Sequence, residues 1–287
     1  MTLTYRAARP EDLPECVEVF HESLSDMRLR HNLGAASPVS PWRMEMMRHY
    51  LATGIFHVAQ GEGRILGFAS AILRQHLWFL CGFWVRPGWQ QQHVGMPLLR
   101  SAMQDGRQAG AGTFFVWSSI DLPAMAAYLK SGMLPGTQML MLEGLPRLNA
   151  QPADYAAVPL AAEFASALDG DVLGIRREMD HALLQRLGWQ ARQVLHGGTP
   201  VGYYYVHDGA VAPAAWTESR HAAGVLTLAC REAAADMPAQ IMVPGTNHDA
   251  LRFGFEAGLR LTGFAHLLTS APFGHLERYL PSGPGLF

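Results

Sequence analysis

The polar loop Gln90-Gln91-Gln92-His93-Val94-Gly95 is where the residue types and spacing best fit binding chemistry. It follows a nearly continuous apolar run, Leu77–Val85, that Arg86-Pro87-Gly88 stops, and it opens a helix at about Val94-Gly95. The first N–H groups of a helix have no intrahelical acceptor, and the helix dipole adds partial positive charge there. Such a terminus suits an anion, usually a phosphate; a solvated loop is the plainer reading of the glutamines. Other reactive side chains are sparse around it. No Asp or Glu lies between Gly63 and Gln104; His76 and Asp121 are the alternatives to an acid there, each read as structural or solvated. Cys81, midway along the apolar run, reads as a small core residue. The three cysteines, Cys16, Cys81 and Cys230, are far apart and odd in number. That spacing predicts neither a disulfide framework nor a metal site, and it fits a reducing, cytoplasmic setting.

The elements that must position this loop follow from hydrophobic periodicity. Leu77–Val85 has the pattern of a strand buried on both faces. The helix after the loop carries Val94, Leu98 and Ala102 on one line with Leu99 and Met103 beside it, an amphipathic stripe, and Pro97 falls in its first turn. Before the run come a short strand at Leu3–Ala8, a helix opened by Arg9-Pro10-Glu11-Asp12, and a methionine-rich helix at about Pro41–Leu51. A hairpin then joins Ile55–Gln60 to Arg64–Leu73 through Gly61-Glu62-Gly63. Trp42, Met44, Met46 and Met47 read as core, or as the lining of an apolar cleft. After the loop helix, Thr113–Ser119 reads as a second buried strand, Leu122–Ser131 as a helix carrying Tyr128 toward a core, and Thr137–Leu142 as the last strand of this half. The order predicts an α/β fold. Leu145–Asp154, with two prolines, reads as a linker.

The second half echoes the first. Gly198-Thr199-Pro200-Val201-Gly202-Tyr203 repeats the glycine spacing of Gly63-Arg64-Ile65-Leu66-Gly67-Phe68. Gln240–Thr246, with a helix to Gly258, likewise parallels Thr113–Ser119 with a helix to Gly132. Two echoes in the same order predict a duplicated unit. Composition limits the partners: of 287 residues 49% are hydrophobic and 16% charged, with a net charge of −2. That describes a well-cored chain with no basic field for nucleic acid or an acidic membrane. The N-terminus has no apolar leader and no run reaches membrane-spanning length.

At these residues the sequence resembles the GNAT (Gcn5-related N-acetyltransferase) superfamily. Its acetyl-CoA loop, Gln/Arg-x-x-Gly-x-Gly/Ala, is matched by Gln90 and Gly95, with His93 in place of the first glycine. An alanine and a tyrosine before Lys-x-Gly-Phe are matched by Ala124, Tyr128, Lys130 and Gly132, with Met133 for the phenylalanine. The family's asparagine after its fifth strand appears as Asp121. The resemblance covers roughly the first 145 residues. The remainder looks like the degenerate second domain of tandem members, down to the Gly174–Leu184 segment GIRREMDHALL.

What the resemblance implies is specific. It predicts two tandem domains, 1–145 and 155–287, each a mostly antiparallel twisted sheet flanked by helices, the first catalytic and the second degenerate. Acetyl-CoA is the implied cosubstrate, held by Phe83, Trp84, Val85, Gln90, Gln91, Gln92, His93, Val94, Gly95, Met96 and Asp121. Tyr128 is the implied general acid for the departing thiolate. The implied reaction is direct acetyl transfer to a primary amine of a small molecule or peptide, with no metal, nucleic acid or membrane; a second copy of the chain is a further candidate partner. The missing acidic base and His93 favour an alternative, a non-catalytic acyl-CoA-binding protein. A nucleotide-binding α/β protein of another fold is disfavoured by the lack of a Gly-x-Gly-x-x-Gly or Gly-Lys-Ser/Thr loop. Glu218–Val225 has no acetyl-CoA loop, so the second half is expected to shape the acceptor pocket or a dimer, with Arg220 and His221 as a solvated helix cap.

Overall fold

The structure, a computed structural model, describes residues 3–148, 152–235 and 237–287. It divides into two compact units, Met1–Leu134 with Thr269–Ala271, and Pro135–Leu268 with Pro272–Phe287. Among the described residues no helix is long and apolar enough to cross a membrane.

The first unit runs β1 (Thr4–Ala7), α1 (Leu13–Arg30), α2 (Arg43–Thr53), β2 (Gly54–Gly61), β3 (Arg64–Arg74), β4 (Leu77–Val85), α3 (Gly95–Gln108), β5 (Thr113–Ser118) and α4 (Leu122–Lys130). Strands β1 to β4 pair antiparallel in chain order, and β5 joins β4 in parallel. The β2–β3 hairpin turns on Glu62 (φ 53°) and Gly63 (φ 77°), the left-handed pair that a two-residue turn requires. α3 buries the expected stripe, Leu98, Leu99, Ala102 and Met103. It approaches closely at Gly106, where a Cβ would stand 2.7 Å from the Trp78 indole. Met46 and Met47 of α2 are 4% and 1% exposed and belong to the core, whereas Trp42 is 41% exposed.

The second unit runs β6 (Leu134–Gly144), β7 (Tyr155–Pro159), α5 (Ala162–Leu173), α6 (Glu178–Arg186), β8 (Gln190–His196), β9 (Thr199–His207), β10 (Ala210–Trp216), α7 (Ala222–Ala233), β11 (Ala239–Pro244), α8 (His248–Glu256), β12 (Arg260–Thr269) and β13 (Tyr279–Leu280). Its strand order is β12-β6-β11-β10-β9-β8-β7, with β13 added against β10. β6 differs from expectation. The strand read as the last of the first half pairs antiparallel with β11, from Met139 opposite Pro244 to Gly144 opposite Ala239. β6 thus counts almost wholly with the second compact unit, which begins at Pro135. The expected linker at Leu145–Asp154 lies partly outside the described residues, at 149–151.

The GIRREMDHALL segment has a packing role in the second unit. α5 ends at Gly174 in the left-handed conformation (φ 75°), which glycine adopts without strain. The turn brings Arg177 Nε and His181 Nε2 each to 2.9 Å from Asp169 Oδ2. Tyr203 also donates to Asp169, and the Tyr205 hydroxyl lies 2.9 Å from His181 Nδ1. Burial alone would raise the Asp169 pKa, but the Arg177 and His181 partners outweigh it and hold the carboxyl below its usual value.

Candidate functional site

β4 and β5 pair only from Leu77–Thr113 to Leu80–Val116. A bulge at Cys81 starts the departure: Leu80 faces Ala71 and Gly82 faces Ser70, so Cys81 is the extra residue. Bulges bend and twist a strand, and this one turns β4 away from β5. Cys81 through Val85 are half-buried, and Cys81 sits in the bulge, less enclosed than a core residue. On the β5 side, Gly82–Val85 has no strand to pair with among the described residues, and of its backbone groups the Val85 carbonyl is taken up by the Ser23 and Gln90 side chains.

Successive residues face opposite sides of a strand, and here this separates two surfaces. Phe83 points to α3 and α4. A Cβ on Gly95 would stand 3.0 Å from its ring, so the small residue lets the helix start close over β4. The Tyr128 ring lies 5.8 Å from the Phe83 ring. Trp84 points the other way, edge-on to Phe20 of α1 at 5.1 Å. The splayed strand, the start of α3 and Tyr128 thus converge on the Phe83 face.

The loop between β4 and α3 presents its backbone. Gln91 and His93 both have φ 61°, so His93 adopts the left-handed conformation that suits the glycine of the family pattern. That conformation costs a non-glycine residue on the order of 1–2 kcal/mol. Among the described residues, the N–H groups of Gln91, Gln92, His93 and Val94 donate to no backbone acceptor. Gln91, Gln92 and His93 are exposed, while Val94 is 1% exposed and anchors the helix start in the core. Gln90 Nε2 donates to Val85 O at 3.0 Å and Gln92 donates to Gly88 O, so both side chains brace the loop. The open N–H groups and the close-packed Gly95 fit a pyrophosphate.

Tyr128 is 6% exposed. Its hydroxyl has no hydrogen-bond partner among the described residues, yet it is not one of the polar atoms sealed from solvent. Burial, then the charge of Asp121, raises its pKa well above the usual phenol value, so it stays protonated through the neutral range.

Of two further candidates from the sequence, His76 lies apart from this convergence, while Asp121 stands near enough for its charge to act on Tyr128. His76 sits in the β3–β4 turn, and its carbonyl accepts from Gly112 and Thr113. It is at the far end of β4 from the loop, about 27 Å for a nine-residue strand. Asp121 is held by Arg30 Nη1 at 2.9 Å. An aspartate where the family has an amide recruits a cation and ties the end of α1 to the start of α4.

Sequence reading missed the groups that hold α1 over β4. Arg86 is 3% exposed and pairs with Glu22, with Glu15 at 3.3 Å and with Glu18 at 3.5 Å. Ser23 Oγ donates to Val85 O at 2.9 Å. The signal was present: Glu15, Glu18 and Glu22 share one helix face and await a cation.

The corresponding region of the second unit is filled. β10 and β11 pair in parallel only at Ala210–Gln240 and Val211–Ile241, after which β13 takes the vacated edge, with Ala214 opposite Leu280 and Ala215 opposite Tyr279. Asn247, fully buried at the start of α8, donates to Tyr279 O at 3.2 Å. Tyr155 covers the start of α7: a Cβ on Gly224 would stand 2.3 Å from its ring, and its hydroxyl lies 2.8 Å from His221 Nδ1. His221, expected to be a solvated cap, is 3% exposed beneath this contact, whereas Arg220 is exposed. Among the described residues, no group of three or more His, Cys, Asp or Glu side chains could hold a metal ion.

Residues 19–133 match the family model of the acetyltransferase (GNAT) family. No curated protein matches the chain by sequence. Solved structures match nearly its whole length. A Pyrococcus horikoshii protein assigned as an acetyltransferase shares 16% identity, over 99% of this chain and 96% of its own, with a TM-score of 0.79. A tandem GNAT protein from the clavulanic acid biosynthesis pathway shares 14%, over 94% and 99%, with a TM-score of 0.63. A GCN5-related N-acetyltransferase from Sphaerobacter thermophilus shares 14%, over 96% and 98%, with a TM-score of 0.62. At these identities the shared property is the tandem fold. Residues 19–133, which hold the splayed β4–β5 pair and the open helix start, are thus similar to the GNAT family, and nearly the whole chain shares the fold of these neighbours.

Proposed function

We propose that the chain transfers the acetyl group of acetyl-CoA directly to a primary amine of a small molecule or peptide, with the first unit as the catalytic domain. The observation that carries this reading is the convergence of three elements on the Phe83 face: the open backbone edge of Gly82–Val85, the unpaired N–H groups at the start of α3, and Tyr128. Acetyl-CoA supplies an activated thioester. The N–H groups of residues 91–95 hold its pyrophosphate, and Gln90 and Gln92 keep that loop in shape. A backbone N–H from Gly82–Val85 polarises the acetyl carbonyl as charge develops on its oxygen. The amine nitrogen bonds to the carbonyl carbon, the carbon–sulfur bond breaks, Tyr128 Oη gives its proton to the departing sulfur, and the nitrogen that becomes the amide gives up a proton that returns through water to the Tyr128 phenolate. The attacking amine must be neutral; no carboxylate stands on β4 to deprotonate it, so its proton passes to water. The second unit has a structural part and does not catalyse.

The rival reading, an acyl-CoA-binding protein without turnover, draws on that missing carboxylate and on His93. An amine panel with acetyl-CoA, read as free thiol release, separates the two. Acetyl-CoA that raises the melting temperature while no amine is turned over would favour the rival. No thermal shift at millimolar acetyl-CoA would sink both.

A further inference from the structure

The geometry points to Arg43 as the residue that recognises the acceptor, selecting amines that also carry a carboxylate. This rests on the acetyl-transfer reading above and adds the class of acceptor. Arg43 begins α2, and its guanidinium lies over the Phe20 ring at 4.0 Å and 5.4 Å from the Trp42 ring. Phe20 in turn packs edge-on against Trp84, in the segment of β4 that β5 abandons. The cation therefore stands one ring away from the splayed strand, on the face opposite Phe83, Gly95 and Tyr128. An amine approaching from that side meets the acetyl group across β4 from the elements that hold the cofactor.

Among the described residues Arg43 has no counter-charge. Its Nε is sealed from solvent without a hydrogen-bond partner. Among the described residues no carboxylate pairs with the guanidinium, and Nη1 and Nη2 have no partner either, although they are not sealed. Other arginines of this unit with restricted access to water are paired: Arg6 with Asp12, Arg74 with the Thr53 carbonyl and Arg86 with three glutamates. Burial lowers the Arg43 pKa without removing the charge, since guanidinium stays protonated at any working pH. Aromatic faces compensate a cation only in part. A carboxylate accepts two parallel N–H bonds from an arginine fork, and desolvation makes such a pair strong. The pyrophosphate is not the anion in question, because its helix start packs on the Phe83 face.

The test uses the full-length chain and two readouts. Binding of N-acetylated aromatic, aliphatic and acidic amino acids, and of their carboxamides, is measured by calorimetry with coenzyme A present. Thiol release is measured in parallel with the free amino acids and their carboxamides as acceptors. The carboxylate members should bind at least tenfold more tightly than their amides. Arg43→Met should remove that preference and Arg43→Lys should keep part of it, with acetyl-CoA affinity unchanged in both as the check on folding. A carboxylate preference in binding without turnover leaves Arg43 in this role and overturns acetyl transfer. Turnover with no carboxylate preference, or a preference that survives Arg43→Met, overturns the assignment of Arg43. Neither binding preference nor turnover overturns both.

Discussion

In the first unit Gly67 faces Val85, and the Arg86 N–H bonds to Leu66 O at 2.8 Å; in the second, Gly202 faces Trp216, and the Thr217 N–H bonds to Val201 O at 2.9 Å. A Cβ on Gly67 would stand 2.8 Å from Trp84 O, and one on Gly202 would stand 2.6 Å from Ala215 O. Each crossing strand carries a bulge at the matching place and parts from its parallel neighbour just beyond it. From this common start the two junctions diverge. Phe83 and Trp84 line an open edge, while their counterparts Ala214 and Ala215 pair with β13. Residues 86–94 form a long loop in which, among the described residues, the N–H groups of Gln91, Gln92 and His93 donate to no backbone acceptor, while residues 217–221 form a short connection under Tyr155. Splaying a sheet exposes backbone that must be satisfied by a ligand or by the chain itself. The second unit fills that edge with its own strand, and the first has no strand there among the described residues.

The comparison makes graded predictions. The second unit depends on its buried charges for folding, so Asp169→Asn should remove about 3–5 kcal/mol of stability in denaturant unfolding. Because the Asp169 pKa is depressed on folding, its contribution is present above the unfolded carboxylate value and is lost as pH falls through the folded one. A loss below about 1 kcal/mol would mean the network is dispensable. In the first unit the cost should appear in rate. Tyr128→Phe should lower kcat about a hundredfold with acetyl-CoA affinity unchanged, and a parallel fall in affinity would make Tyr128 a packing residue. The raised Tyr128 pKa also predicts that kcat shows no decline from loss of this proton below about pH 10. Smaller again, Asn247→Ala should cost about 1–3 kcal/mol by stranding Tyr279 O, without changing acetyl-CoA affinity. The smallest effect belongs to His93→Gly, which relieves a left-handed residue and should stabilise the chain by under about 1 kcal/mol, since glycine returns part of the gain as backbone entropy.

What the sequence revealed was local. Leu77–Val85 and Thr113–Ser119 are apolar enough to be strands buried on both faces, the Gly61-Glu62-Gly63 turn fixes a hairpin, and the loop motif with Tyr128 at its distance points to the cofactor face. What it concealed depended on tertiary pairing. Tyr279–Leu280 is a two-residue strand in a tail rich in proline and glycine, and only the gap beside β10 makes it one. β6 follows the first half in the chain yet pairs with β11. Nothing in the local pattern sets Arg43 apart from its neighbour Arg48, which has a carboxylate in Glu45; the difference is the ring packing and the absence of a counter-charge.

The central claim is that one unit is open to the cofactor and the other is closed by its own chain. Titration calorimetry of acetyl-CoA, on the unaltered protein and on His93→Glu, tests this most directly. The account predicts one acetyl-CoA per chain and at least tenfold weaker binding when a carboxylate is placed among the loop N–H groups. Two equivalents per chain, or one whose affinity ignores His93→Glu, would contradict it.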